Sequence, residues 1–180
     1  MKIKGCETEK NLYKAFAGEC RARNKYYLYA EQARRDGYNW IAEIFEKTGD
    51  NEFAHAREVF KRYLSKVSST KNNLIEAALG EAEEVSVVYK KFEEKACEEG
   101  FDDIAHFFKE LREVEETHKE RFLKLAKAIK DDEIFKDDKE CLWKCMNCGY
   151  IYEGDKAPEK CPLCQYPKSF FKKLKNEQCE

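Results

Sequence analysis

Along residues 7–131 the apolar positions recur three or four apart, with Glu and Lys filling the faces between them. This is a helical period, and it breaks in three places. "RRDGYN" around Gly37 and "CEEGFDD" around Gly100 each look like a helix end followed by a glycine turn. "SKVSSTKNN" at 65–73 is a polar connection in which Ser69 or Thr70 can cap the helix that follows. The pattern predicts four helices, roughly 7–36, 39–64, 71–98 and 102–130, each about 40 Å long at 1.5 Å per residue. The short connections imply antiparallel neighbours, with 65–73 as the longer link between two helix pairs.

The two pairs repeat one another. "ARRDGYNWIAEIFEKTGDNEFAH" (33–55) aligns with "ACEEGFDDIAHFFKELREVEETH" (96–118) at a constant offset of 63. Ala33 meets Ala96, Gly37 meets Gly100, Phe45 meets Phe108, Glu52 meets Glu115 and His55 meets His118. On the first and third helices the offset is 62, so that Gly18-Glu19 meets Gly80-Glu81. The four helices therefore read as one helical hairpin used twice. Two such hairpins face to face create a pseudo-two-fold axis that brings matched residues together.

The matched polar residues carry the chemistry. The second and fourth helices each hold E-x-x-H, as Glu52 with His55 and Glu115 with His118; at i and i+3 the two side chains leave one helix face as neighbours. The first helix adds Glu19 and the third adds Glu81-x-x-Glu84, where Glu84 has no counterpart because Ala22 stands at the matching place. This is a ligand set for a dinuclear metal site: carboxylates able to bridge, plus imidazoles. Five carboxylates inside a bundle are prohibitive if ionised and unpaired, and two divalent ions nearly neutralise them. Iron or manganese suits such O/N ligands with open positions, whereas zinc binds without changing valence. A lone E-x-x-H in a Glu-rich helix is usually a solvated face. Here the pattern recurs at equivalent positions and takes up two of the three histidines. His106, matched only by Glu43, reads as a surface residue. Tyr26 and Tyr89 are candidates to hold a ligand carboxylate from behind. Cys20, next to Glu19, points to another face and reads as core.

Helical character fades at "KDDEIFKDDKE", and the divisions expected are a helical bundle over 1–131, a charged linker over 132–140 and a cysteine module over 141–180. In that module Cys145-x-x-Cys148 and Cys161-x-x-Cys164 are a strong four-sulfur signal. A piece this small needs the metal as its core, with Trp143, Tyr150, Tyr152, Phe170 and Phe171 packed around it. A structural zinc and a redox-active iron both fit the tetrahedron. Gly149 leans the reading toward iron, because it permits a tight knuckle whose N–H groups point at sulfur and tune its potential.

Composition narrows the partners. Charged residues make up 39% of the 180, yet the net charge is only -2, which leaves no case for nucleic acid or an anionic membrane. Apolar runs fall short of a membrane span, the N-terminus has no apolar signal region, and all three prolines lie beyond residue 157. Nine cysteines, of which Cys6, Cys20, Cys97, Cys141 and Cys179 show no framework spacing, suggest metal ligation plus thiols in a cytoplasmic protein.

With "NLYKAFAGECRARNKY", "NEFAH", "GEAEE", "EETH" and the closing "CMNCGY…CPLC", the chain resembles the rubrerythrins over essentially its full length. The resemblance implies an all-α, ferritin-like four-helix bundle holding a non-haem di-iron site, followed by a small rubredoxin-like domain with iron on Cys145, Cys148, Cys161 and Cys164. It implies Glu19, Glu52, Glu81, Glu84, Glu115 and His118 as iron ligands, Glu52 and Glu115 bridging, and His55 replacing Glu84 on one iron upon reduction. It further implies a homodimeric peroxidase of oxidative-stress defence. Such an enzyme reduces hydrogen peroxide to water with NAD(P)H electrons delivered by a separate reductase, often through rubredoxin. Cys20 departs from the serine common at its place, and the other extra thiols have no assigned role. Two rivals remain at this level: a ferritin-type iron oxidase or store, and a helical scaffold with a structural zinc knuckle.

Overall fold

A computed structural model describes residues 4–174; Cys179 lies outside them. The chain forms two compact units, Met1–Ser68 and Ser69–Glu180. The first is a helical hairpin. Its helices are α1 (Glu7–Arg35) and α2 (Asn39–Arg57), and α2 runs on as a π-helical stretch, Glu58–Tyr63. They turn at Gly37, whose φ of +85° suits a residue without Cβ. Tyr38 N–H bonds Ala33 O at 2.8 Å and Gly37 N–H bonds Arg34 O at 3.1 Å, the paired bonds of a Schellman stop. The helices meet through small residues: Ala30, Ala33 and Ala42 are buried, with Phe45 packed on them. Gly49 belongs to the same seam, since a Cβ there would lie 2.9 Å from the Tyr27 ring. Farther out, Arg34 forks onto Glu46 at 2.5 and 2.7 Å, and Tyr27 donates to Asp50 Oδ1 at 2.6 Å.

The second unit repeats that hairpin. Its first rod is α3 (Thr70–Glu83), a π turn (Glu84–Val88) and α4 (Tyr89–Glu98); its second is α5 (Asp102–Lys130). Ser69 is the cap, its Oγ accepting from Asn72 N–H at 3.3 Å. The Gly100 turn copies the Gly37 turn, with φ +79°, Phe101 N–H to Ala96 O at 2.9 Å and Gly100 N–H to Cys97 O at 3.1 Å. Aromatic packing repeats as well. Tyr26 stacks on Phe45 with centroids 6.2 Å apart, and Tyr89 stacks on Phe108 at 6.1 Å. The offset of 62 before the π turn and 63 after it now has a physical cause. A π turn accommodates one residue more than the α-helix it interrupts, so the extra residue leaves both flanks in register.

The cysteine module is a three-stranded antiparallel sheet in the order β2-β1-β3, formed by β1 (Lys136–Cys145), β2 (Ile151–Lys156) and β3 (Phe171–Lys173). β1 begins inside the charged segment read as a linker, and its register shifts between Lys136 and Cys141. Trp143, Cys145, Ala157, Cys161 and Phe171 are buried together, with Tyr150 and Tyr152 against them. The Trp143 indole N–H is satisfied by Gly154 O at 3.0 Å. Phe170 departs from the expected aromatic core. It ends a short 3-10 turn just before β3, is exposed, and makes an edge contact with Tyr166 at 4.7 Å.

Candidate metal centres

Each hairpin builds one acidic cluster. In the first, α1 presents Glu19 while α2 presents Glu52 and His55, and one ligand atom from each lies within 4.8 Å of the others. His55 Nδ1 is 2.9 Å from Glu52 Oε2 and 3.8 Å from Glu19 Oε2. In the second, α3 presents Glu81 while α5 presents Glu115 and His118. His118 Nδ1 is 2.6 Å from Glu115 Oε2 and 3.9 Å from Glu81 Oε1. The spacing agrees to a few tenths of an ångström, although the sequences around it differ widely. His106 is not part of either cluster; it is exposed and faces Glu110.

The electrostatics of both clusters ask for a cation. Burial raises the Glu19 carboxyl above its ordinary value of 4.5, and hydrogen bonding to Glu52 and its charge add to the shift. Glu81 is raised in the same way, by burial first and then by Glu115 and Glu84. A histidine charge lowers each, and among the described residues no lysine or arginine is ion-paired with either. In a chain so rich in surface ion pairs, carboxylates crowded without Lys or Arg are the donor set of a metal.

Glu84 stands outside the three-residue cluster but beside it. Its charge acts on Glu81, and its carboxylate is hydrogen-bonded to the Tyr89 hydroxyl. Burial, then the charges of Glu84 and Glu115, push that tyrosine's pKa up. Glu84 opens the π turn and Tyr89 follows its last residue. Tyr26, the matching tyrosine, is held by ring packing on Phe45 and Tyr29.

Cys145, Cys148, Cys161 and Cys164 converge. Cys145 and Cys164 sulfurs are 3.8 Å apart, and those of Cys148 and Cys161 are 3.7 Å apart. A tetrahedron with metal–sulfur bonds of about 2.3 Å has edges of about 3.75 Å, and these two opposite pairs already stand at that spacing. No disulfide forms among the described residues. The two knuckles share one plan: Gly149 N–H bonds Cys145 O at 2.9 Å, and Gln165 N–H bonds Cys161 O at 2.9 Å. Both Gly149 and Gln165 adopt left-handed backbone, φ +79° and +62°.

N–H donors to sulfur were expected at the Gly149 knuckle, but which residues supply them was not. The Tyr166 backbone N–H bonds Cys164, and with help from the Asn147 amide it draws that thiol down to about 6. Tyr150 N–H bonds Cys148 in the same way, but desolvation and the neighbouring sulfurs outweigh it and push the thiol up to about 12. The signal was present as a local repeat, "CMNCGY" and "CPLCQY", in which a tyrosine follows each second cysteine by two. Cys141 is a different case: burial raises its pKa, as for an inert thiol in a strand.

Comparison with known proteins matches both parts of the chain. The family model described as Rubrerythrin matches residues 10–126, and that of the rubrerythrin rubredoxin-like domain matches 143–172. A rubrerythrin of Clostridium perfringens is 40% identical over 96% of this chain and 97% of its own. The rubrerythrin of Nitratidesulfovibrio vulgaris is 40% identical over 96% of each chain. Among solved structures, nigerythrin in a partially reduced state is 34% identical, covering 96% of this chain and 89% of its own at a TM-score of 0.37.

Proposed function

This chain belongs to the rubrerythrin family, and on that footing we propose that it reduces hydrogen peroxide to water with electrons passed through its own four-cysteine iron. The family gives the class: an iron-dependent oxidoreductase with a ferritin-like all-α part and a small rubredoxin-like domain. Its cofactors are two non-haem irons on the carboxylate/histidine clusters and one iron on the four cysteines. The structural-zinc and storage readings have no support in this membership.

The observation that carries the proposal is the matched pair of clusters on a chain that also holds a four-cysteine site. Glu19 and Glu81 would each hold one iron, Glu52 and Glu115 would bridge, and His118 would bind on the second hairpin. His55 and Glu84 would alternate on one iron as the oxidation state changes. Glu84 is the one carboxylate without a counterpart, and Tyr89 is placed to keep hold of it when it leaves the metal. When bound, the iron pair supplies two electrons to one peroxide molecule, which with two protons gives two waters. The residues keep the site's charge nearly level, because the carboxylate set suits both oxidation states and the exchange adjusts it. Tyr150 and Tyr166 N–H groups stabilise thiolate charge at the one-electron relay.

A rubredoxin-type donor, and behind it an NAD(P)H-dependent reductase, would supply the electrons to a homodimer in the cytoplasm. Among the described residues no helix is long and apolar enough to cross a membrane. The test is anaerobic turnover with NAD(P)H, a rubredoxin reductase and rubredoxin. Peroxide should consume NAD(P)H one for one. Oxidation of NAD(P)H that proceeds unchanged without peroxide would sink the reading.

A further inference from the structure

We propose that the first hairpin binds a free amphipathic carboxylate, of the medium-chain fatty-acid type, in a cavity of about 380 Å³ between α1 and the π-helical end of α2. None of the residues lining this cavity is among the iron-binding groups, so the site does not depend on the peroxide reading. Its volume falls toward the lower end of the roughly 300–1,000 Å³ common for small-molecule pockets. The walls are apolar. Phe16 of α1 stacks on Phe60 of the π stretch with centroids 4.5 Å apart, and Phe53 and Val67 face the same space. Val67 comes from the connection that leaves α2, which turns back on the hairpin. Ser65 is left-handed at φ +51°, and Lys66 N–H bonds Phe60 O at 3.0 Å. A π-helical stretch departs from ordinary helix geometry, and such departures recur at functional sites.

Three cations share this apolar space: Arg23 from α1, Arg57 from the end of α2 and Lys61 from the π stretch. None of them forms an ion pair among the described residues, whereas Arg34, Arg62 and Arg112 all sit on carboxylates. The Arg23 guanidinium lies over the Phe53 ring at 4.7 Å and over the Tyr27 ring at 5.6 Å, and its Nε is buried without an acceptor. The rings fix the group in place but give it no oxygen to bond, and a carboxylate supplies one. The internal repeat sets the cavity apart. At the positions matching Phe16, Phe53 and Arg57, the second hairpin has Ala78, Glu116 and Glu120. Two rings are lost there, two negative charges appear, and Glu116 is paired with Lys119. Both hairpins build an iron cluster, so neither helix pairing nor iron binding requires the aromatic and basic set found on the first. A small inorganic anion would satisfy the cations and leave the rings bare. A neutral alkane would do the reverse. An alkyl carboxylate satisfies both, its chain against the phenylalanines and its head among the three cations.

Calorimetric titration of the full-length, iron-loaded protein with decanoate tests this. Decanoate should bind saturably, one per copy of the chain. It should bind about tenfold or more tighter than butyrate, which lacks the long chain, and than decyltrimethylammonium, which reverses the charge. Lys61 is exposed, so Lys61→Glu leaves the hairpin's packing intact. That variant should weaken decanoate binding about tenfold or more. Lys124→Glu changes the net charge equally, at the matching exposed position of α5, and should leave binding unchanged. Arg23→Gln should weaken decanoate as well, with helix content by circular dichroism held at the wild-type value. Absence of saturable binding up to millimolar decanoate, as when another protein surface covers the cavity, would overturn the proposal. So would equal binding of decyltrimethylammonium, or equal losses in the two lysine variants. Peroxide turnover of Lys61→Glu should match the wild type, so a failure of this site and a failure of the peroxide reading are seen separately.

Discussion

His55 Nδ1 stands 2.9 Å from Glu52 Oε2, one helical turn earlier on α2, and the pair recurs on α5 as His118 and Glu115 at 2.6 Å. Each pair lies at the same distance from its hairpin turn, so the contact is a property of the repeat. If Glu52 and Glu115 both bridge the irons, neither is dispensable. Glu52→Ala and Glu115→Ala should each lower iron retention and peroxide turnover by about 100-fold or more. Helix content by circular dichroism should not change, because the carboxylates contribute charge repulsion and not packing. Iron content after dialysis checks the claim.

The raised carboxyls of Glu19 and Glu81 give a pH dependence with a definite sign. Their folded values lie above the ordinary 4.5, so the folded, metal-free protein holds protons that the unfolded chain has released. That contribution to stability is complete below 4.5 and is lost as pH rises through the raised folded values. Metal-free wild type should therefore lose thermal stability over this window, and Glu19→Gln with Glu81→Gln should flatten the loss. Iron displaces the same protons, so iron affinity should rise with pH across the window. Thermal melts and iron titrations at several pH values read both effects.

The paired knuckles invite a two-sided substitution. Gly149 sits at φ +79° and Gln165 at φ +62°. Gly149→Ala should cost about 1–2 kcal/mol, the left-handed penalty for a residue with Cβ. Gln165→Gly relieves a similar penalty but gives up side-chain bonds to Cys161 O and Pro162 O at 3.3 and 3.4 Å. It should be near neutral, within about 1 kcal/mol. Loss of the visible thiolate–iron absorbance on heating measures each.

The π turn makes a further prediction. Removing one residue from it, Ser86, should let α3 and α4 join as a continuous α-helix, because the first hairpin already lacks that residue at its equivalent place. Hairpin stability should hold, and Glu84 and Tyr89 would then stand four residues apart, one α-helical turn along the same face. The tyrosine's raised pKa should therefore persist, and turnover should fall by less than about 10-fold. Absorbance titration of the tyrosinates provides a readout apart from turnover.

Much of this was legible in the residues themselves. Helix limits followed from Gly37 and Gly100, because a Schellman stop needs a left-handed residue and glycine supplies it. Matched ligands followed from the offset of 63. The slip to 62 was visible too, but periodicity does not distinguish an insertion in a loop from one inside a helix, so the π turn between Glu84 and Val88 appeared only in the structure. The strand beginning at Lys136 was hidden for another reason. Its outer positions are charged, and its pairing depends on β2 and on a bulge rather than on alternation. Phe170 and Phe171 looked alike in sequence, but Phe170 ends a 3-10 turn and Phe171 begins β3, and only Phe171 enters the core.

The reaction of the reduced protein with peroxide is the most direct test of a peroxide reductase. Fully reduced protein, with iron in all three sites, should be mixed anaerobically with stoichiometric hydrogen peroxide in a stopped-flow spectrometer, and separately with dioxygen. Peroxide should reoxidise the di-iron site many times faster than dioxygen, with the four-cysteine iron following as it returns electrons. Reoxidation by peroxide no faster than by dioxygen would contradict a peroxide reductase.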